Sequence, residues 1–125
     1  MLRATYDEQL GIIRSVSSGH TPPEELEAYI VQLRMLRQQQ RARTGRFLHL
    51  VDANESALQT KWASERLSLY NSSDGDMEAG DKTAVVLSSA LLKIQAARLA
   101  SHTQFATFTD MAEAVAWLLA DPRPQ

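Results

Sequence analysis

The 125-residue sequence contains no cysteine, only five glycines and four prolines, and no long apolar run. Without cysteine the chain has no disulfide, thiolate metal ligand or thiol nucleophile, which is compatible with a reducing compartment. No stretch approaches the roughly 20 apolar residues of a membrane-spanning helix, and the first residues lack the apolar segment of a signal peptide. We therefore expect a cytoplasmic protein without a membrane span.

Positive and negative charges are nearly balanced, with a net charge of -2 at pH 7. A general nucleic-acid binder is expected to have a basic domain or a basic face, so we predict no nucleic-acid partner. Arg34, Arg37 and Arg41 recur at helical spacing and share one face of a helix. We interpret them mainly as a solvated face, and contact with phosphates or acidic lipids is the alternative.

The length predicts a single domain over residues 1–125, because a chain of this size can bury one sufficient core. Residues 10–16 are typical of a strand, and Thr5 and Tyr6 can pair with it as an antiparallel hairpin. Thr21, Pro22 and Glu24 form a capping-box pattern at the start of a long helix, and Gly45 ends it. The buried stripe of this helix is predicted to contain Leu26, Tyr29, Ile30, Leu33, Leu36 and Arg37.

Apolar strands and helices alternate in the rest of the chain. Residues 46–52 and 83–87 are nearly continuous apolar runs, as expected for central strands of a parallel sheet, and 104–108 is a third strand. Helices are predicted over residues 56–70, 90–100 and 111–120. A strand, a crossover helix and a second strand make a βαβ unit, so the fold class is α/β.

The candidate site lies at the carboxyl end of the strand at residues 46–52, where open α/β sheets tend to bind ligands. Asp52, Asn54 and Ser56 are its polar candidates. Ser56 or Asn54 is interpreted as a helix N-cap, and Ser56 alternatively as a phosphorylated residue stabilised by the helix N-terminus. The apolar candidates Leu58, Trp62 and Leu69 form one stripe of the following helix.

No pattern of catalytic or metal-binding residues stands out in the sequence. His20, His49 and His102 lack partners at ligand spacing, and we interpret His49 as a core histidine with a hydrogen bond. Asp74, Asp76, Glu78 and Asp81 are interpreted as a solvated acidic loop, because an EF-hand needs ligands over twelve residues ending in glutamate. We predict no cofactor and no enzymatic activity, with an enzyme as the rival class.

The order of elements resembles the SpoIIAA-like family, an uncharacterised branch of the STAS-type fold. The resemblance rests on Gly19-His20-Thr21 before a Pro-Glu-Glu helix, the strand at 47–52, Ala84-Val85-Val86, and a final helix with Glu113-Ala114-Val115-Ala116-Trp117-Leu118. It implies a mixed sheet of four to five strands with packed helices, a homodimer, and no established activity. Relatives of the fold suggest phosphorylation-switched binding of a regulatory kinase, or binding of an apolar ligand.

The anti-anti-sigma pattern places an Asp-Ser pair and a glycine after the central strand, and residues 52–57 here contain neither. We therefore predict a non-catalytic regulatory or protein-interaction module of STAS type. The alternatives are a protein that binds an apolar small molecule or lipid, and a phosphorylation-switched regulator. A homodimer is expected through the helix face of Leu58, Trp62 and Leu69, since exposed apolar patches usually mark contact surfaces.

Overall fold

The computed structural model describes residues 1–56, 81–87 and 104–120. In these residues five strands form one mixed sheet in the order β1-β2-β3-β4-β5. The strands are β1 (Leu2–Asp7), β2 (Ile12–Gly19), β3 (Leu48–Ser56), β4 (Lys82–Val86) and β5 (Gln104–Phe108). β1 is antiparallel to β2, and every later neighbour is parallel. The predicted hairpin and the predicted α/β class with a mixed sheet are confirmed.

The turn between β1 and β2 is fixed by Asp7 and Gly11. Asp7 Oδ1 accepts hydrogen bonds from the backbone N–H groups of Gln9 (3.0 Å) and Leu10 (3.1 Å). Gly11 closes the turn with a φ of 70°, a left-handed conformation that other residues rarely adopt. The short connection makes β1 and β2 antiparallel, whereas a crossover is needed between parallel strands.

Helix α1 (Pro23–Thr44) connects β2 to β3 and begins one residue later than the sequence pattern indicates. The predicted capping box is wrong: Pro22 is the N-cap, and the Thr21 hydroxyl is buried without a hydrogen-bond partner among the described residues. The reason is Pro23, because the residue before a proline is pushed out of the helical region, and Pro22 is extended with ψ 155°. At the other end Gly45 has a φ of 81° and ends the helix as predicted.

The predicted stripe of α1 packs on one face of the sheet. Leu36 is only partly buried, and the other five predicted members are buried. Ile13 of β2 and Ala4 of β1 lie beneath the helix. The resulting core cluster contains Ala4, Ile13, Leu26, Tyr29, Ile30, Leu33 and Phe47.

Helix α2 (Met111–Leu119) packs on the opposite face of the sheet. Because Ile12 and Ile13 are neighbours on a strand, their side chains point to opposite faces, and both faces need an apolar cover. Asp110 caps it by accepting from the N–H of Ala112 at 3.4 Å. Trp117 lies against Phe108 with ring centroids 5.7 Å apart, which places it at the border of this core. The buried cluster here contains Ile12, Leu48, Leu50, Ala84, Val86, Ala114 and Leu118.

Strand β3 is longer than predicted, which changes the interpretation of the residues after it. The prediction ended the strand at Asp52, but pairing with β2 continues to Ser56, whose register partner is Gly19. The predicted helix at 56–70 therefore begins inside the strand, and Asn54 is not a helix cap. The rest of that helix and the helix predicted at 90–100 lie outside the described residues. Among the described helices, none is long and apolar enough to cross a membrane.

Candidate functional site

Three polar side chains meet beneath α1, inside the core. Ser15 on β2 and His49 on β3 face the same side of the sheet as Ile13, which is the register partner of His49. The Ser15 hydroxyl lies 2.6 Å from His49 Nε2 and 2.7 Å from the Tyr29 hydroxyl of α1. Burial lowers the pKa of His49 to about 3, because a charged imidazole would be desolvated. The imidazole is therefore neutral at pH 7.

The Ser15–His49 contact has the atoms of a serine nucleophile and its base, but it is closed to solvent. Ser15 is 0% exposed, and Tyr29 and His49 are each 5% exposed. A nucleophile must reach a substrate carbonyl, so this arrangement works as a satisfied polar network in the core. The interpretation of His49 as a hydrogen-bonded core histidine is confirmed.

A second polar cluster holds the amino-terminal ends of β3 and β4. Asp81 is fully buried, accepts a hydrogen bond from the Phe47 N–H at 2.7 Å, and forms an ion pair with Arg41. The Gln40 side chain donates to the Gly11 carbonyl at 2.6 Å and accepts from the Leu48 N–H at 3.0 Å.

The structure contradicts two predictions about charged residues. Asp81 does not belong to a solvated acidic loop, and Arg37 and Arg41 do not lie on a solvated face, since Arg37 is buried and Arg41 pairs with Asp81. The physical reason is that α1 buries an arginine-bearing stripe near the start of β4, where Asp81 compensates one guanidinium. Arg34 is partly buried.

Lys82 joins the sheet to the end of α2. Its ammonium group donates to the carbonyl oxygens of Trp117 at 2.7 Å and Ala120 at 3.0 Å, and it lies 5.1 Å from the centre of the Trp117 ring. These carbonyls lack partners within the helix, and a cation there also favourably meets the negative end of the helix dipole. Lys82 is therefore a buried residue that caps the carboxyl end of α2.

The predicted polar site residues lie at an irregularity between β2 and β3. From Val16 to Ser18 the register advances two residues on β2 and three on β3, from Asp52 to Glu55, which leaves one extra residue on β3. Asp52 Oδ1 accepts from both the backbone N–H (3.2 Å) and the side-chain amide (3.1 Å) of Asn54. Asp52 is half-buried, Asn54 is exposed, and the neighbouring Val16 is 42% exposed.

No family model matches the sequence, and no curated protein matches it. Among solved structures the chain is similar to the crystal structure of an uncharacterized protein from the DUF3478 family, with a SpoIIAA-like fold, from Shewanella loihica PV-4. The two chains superpose with a TM-score of 0.59 at 18% identity, and the alignment covers 94% of this chain and 92% of that chain. The chain has a SpoIIAA-like fold. The resemblance inferred from the sequence is confirmed at the level of fold.

Within the SpoIIAA-like fold the predicted site residues are only partly assembled. Asp52 and Asn54 are in contact, and Ser56 ends β3 rather than opening a helix in the described part of the chain. Leu58, Trp62 and Leu69 lie outside the described residues, so their roles stay predictions. Within the described part, no three side chains of the metal-binding types converge on one point.

An apolar cluster lies on the other side of the sheet from Asp52. Ala53, Val85 and Leu87 are buried there, with Val51 partly buried beside them, and no residue of α1 or α2 belongs to the cluster. Alternation along β3 and β4 explains why polar and apolar candidates separate, since successive side chains point to opposite faces.

Sequence reasoning missed the hydrogen-bonding roles of Ser15, Tyr29 and Gln40. Each is a polar residue within an otherwise apolar helix stripe or strand. This departure from the apolar pattern was the signal that the sequence offered. Their contacts depend on the register of β2 against β3, which the sequence does not specify residue by residue.

Proposed function

We propose that this chain is a non-catalytic regulatory or protein-interaction module of STAS type that contacts its partner at the β2–β3 irregularity. The observation that carries the proposal is the surface group formed by exposed Val16, half-buried Asp52 and exposed Asn54 at that irregularity. Bulges are common beside functional sites, where they redirect side chains away from the regular sheet. The reactive side chains of the described core, in contrast, are buried and bonded to one another.

The three residues offer a small mixed surface. Val16 supplies an apolar contact, the Asp52 carboxylate supplies an acceptor, and the Asn54 amide adds a polar group beside it. Apolar contacts surrounded by polar groups are the usual composition of transient protein interfaces. A basic or amide-bearing partner segment is favoured opposite Asp52.

The proposal is tested by affinity capture from the native cell with two matched baits. Val16→Glu inserts a charge at the proposed surface, and Val31→Glu inserts the same charge at an exposed valine of α1 that is 55% exposed. We expect a partner that is captured by the wild-type and Val31→Glu proteins and lost with Val16→Glu, with both variants folded by circular dichroism. Equal capture by the two variants would contradict the proposed surface.

A second candidate function, binding of an apolar ligand, is favoured by the Ala53, Val85 and Leu87 cluster. These buried residues give one side of the sheet an apolar character near the carboxyl ends of β3 and β4, where ligands of open α/β sheets tend to bind. The sequence supplies Leu58, Trp62 and Leu69 as further apolar wall residues.

Native mass spectrometry of protein purified without detergent tests this candidate. A co-purifying hydrophobe that is reduced in Trp62→Ala supports it, because the change removes apolar contact area. A bare chain mass, together with unchanged tryptophan fluorescence on addition of fatty acids, counts against it.

A further inference from the structure

A cleft of about 200 Å³ lies between the end of β1 and the carboxyl half of α1. It is on the α1 side of the sheet, away from the Val16 surface. Ligand pockets for drug-sized molecules are roughly 300–1,000 Å³, so this cleft suits a smaller molecule. Its lining residues are Tyr6, Glu8, Leu36, Gln39, Gln40 and Arg43.

The Arg43 side chain contacts an aromatic ring rather than the carboxylate of an acidic residue. Its guanidinium carbon lies 5.2 Å from the centre of the Tyr6 ring, a cation–π contact. This contact leaves the N–H groups of the guanidinium available, and their planar fork matches the two oxygens of a carboxylate. Arg43 forms no ion pair with any described residue.

Glu8 brings the opposite charge to the same cleft. It is exposed in the β1–β2 turn, whose shape is fixed by the Asp7 hydrogen bonds to Gln9 and Leu10. In the described part of the chain its carboxylate makes neither an ion pair nor a hydrogen bond, and it does not pair with Arg43. The cleft therefore presents one negative and one positive group that do not neutralise each other directly.

The inner wall of the cleft has a fixed shape. The charged groups of Glu8 and Arg43 are therefore the groups that can recognise a ligand. The Gln40 amide is fixed at both ends, by the Gly11 carbonyl and the Leu48 N–H, so it has a defined orientation. Leu36 contributes an apolar surface, and Gln39 a further amide. A site with opposite charges on its rim favours a ligand that carries both, whereas a dianionic phosphate would be repelled by Glu8.

We propose that this cleft binds a free amino acid. Arg43 receives the carboxylate of the ligand, Glu8 receives its ammonium group, and a small side chain lies against Leu36 and the Tyr6 ring. The role is independent of the protein-interaction surface around Val16.

The test is a titration of the protein with L-alanine, followed by two-dimensional NMR of the backbone amides. Propionate lacks the ammonium group of alanine, and ethylamine lacks its carboxylate, so they serve as matched single-charge probes. We expect saturable shifts at Tyr6, Glu8, Gln39 and Arg43 with L-alanine. Each single-charge probe should bind about tenfold more weakly, as expected for loss of one charge-assisted contact.

Variants that remove one charge at a time test whether Glu8 and Arg43 themselves contribute to binding. Glu8→Gln and Arg43→Gln should each weaken L-alanine binding about tenfold, the change expected when one charged partner is lost. Glu24→Gln and Arg3→Gln make the same substitutions at exposed residues outside the cleft, and they should leave binding unchanged. Absence of saturable shifts, equal affinity for propionate, or equal effects of cleft and control variants would overturn the proposal.

Discussion

Ser15 is the residue on which the buried polar network depends. Its hydroxyl is the common partner of the Tyr29 hydroxyl and His49 Nε2. One hydroxyl can donate once and accept from another group, so it satisfies both neighbours in a space that excludes water. Loss of such a central group leaves two buried polar atoms unpaired, and each costs more than the net value of a hydrogen bond.

We predict that Ser15→Ala lowers the free energy of unfolding by about 2–4 kcal/mol, since two buried groups lose their partner. Ser18→Ala, on the same strand, should change stability by less than about 0.5 kcal/mol, as for most surface substitutions. Urea denaturation followed by circular dichroism measures both values. Similar midpoints for the two variants would contradict the role assigned to Ser15.

His49 makes stability depend on pH in a defined direction. Its folded pKa of about 3 lies below the ordinary value of 6.5, so the unfolded chain binds a proton that the folded chain does not. Stability contributed by neutral His49 is complete above pH 6.5 and is lost as the pH falls towards 3. The loss over this window is on the order of 5 kcal/mol for a shift of this size.

We expect His49→Gln to reduce the slope of stability against pH in that window, because the titrating group is gone. His20→Gln, at an exposed histidine, is the matched control variant. The measurement is urea denaturation at a series of pH values. Parallel pH profiles for wild-type and His49→Gln proteins would refute this linkage.

At the scale of elements, Asp81 joins α1, β3 and β4. It precedes β4, pairs with Arg41 near the end of α1, and accepts from the Phe47 N–H before β3. The Lys82 N–H extends the connection by donating to the Phe47 carbonyl at 3.0 Å. A fully buried carboxylate needs such compensation, so removal of its charge should loosen three elements together.

We predict that Asp81→Asn destabilises the protein by about 3–5 kcal/mol, because Arg41 loses its buried partner. The double variant Asp81→Asn with Arg41→Met should be less destabilised than the sum of the single variants, since no unpaired charge remains. Arg43→Met is the control, as Arg43 is exposed and forms no ion pair in the described part of the chain. Additive effects of Asp81→Asn and Arg41→Met would argue against a direct interaction.

The element boundaries show which local signals are reliable. Gly45 ended α1 as predicted because its left-handed φ of 81° is a strong local requirement. The capping box failed because Pro22 and Pro23 are adjacent, and the restriction before a proline outweighs the cap of Thr21. The length of β3 was underestimated because polar residues 52–56 pair with β2, and pairing is not a local property.

At the scale of the whole molecule, the alternation of strands and helices was sufficient to predict the α/β class, and the family resemblance implied the mixed sheet with packed helices. The apolar runs at β3 and β4 require cover on both faces, and α1 and α2 pack on opposite faces of the sheet. The site was less predictable because the Asp52 and Asn54 contact depends on a register irregularity. The Tyr6, Glu8 and Arg43 cleft likewise depends on how α1 lies against the β1–β2 turn.

At this scale the chain is predicted to associate with a second copy of itself. The sequence places Leu58, Trp62 and Leu69 on one helical stripe, and such apolar stripes on surface helices usually mark contacts between molecules. We predict a homodimer that depends on Trp62, whose large side chain supplies more contact area than the aliphatic residues. Sedimentation at micromolar concentration should show a dimer for the wild type and a shift towards monomer for Trp62→Ala. Met35→Ala removes an exposed apolar side chain of α1, 55% exposed, and should leave the dimer intact. A wild-type protein that sediments only as a monomer would exclude this interface.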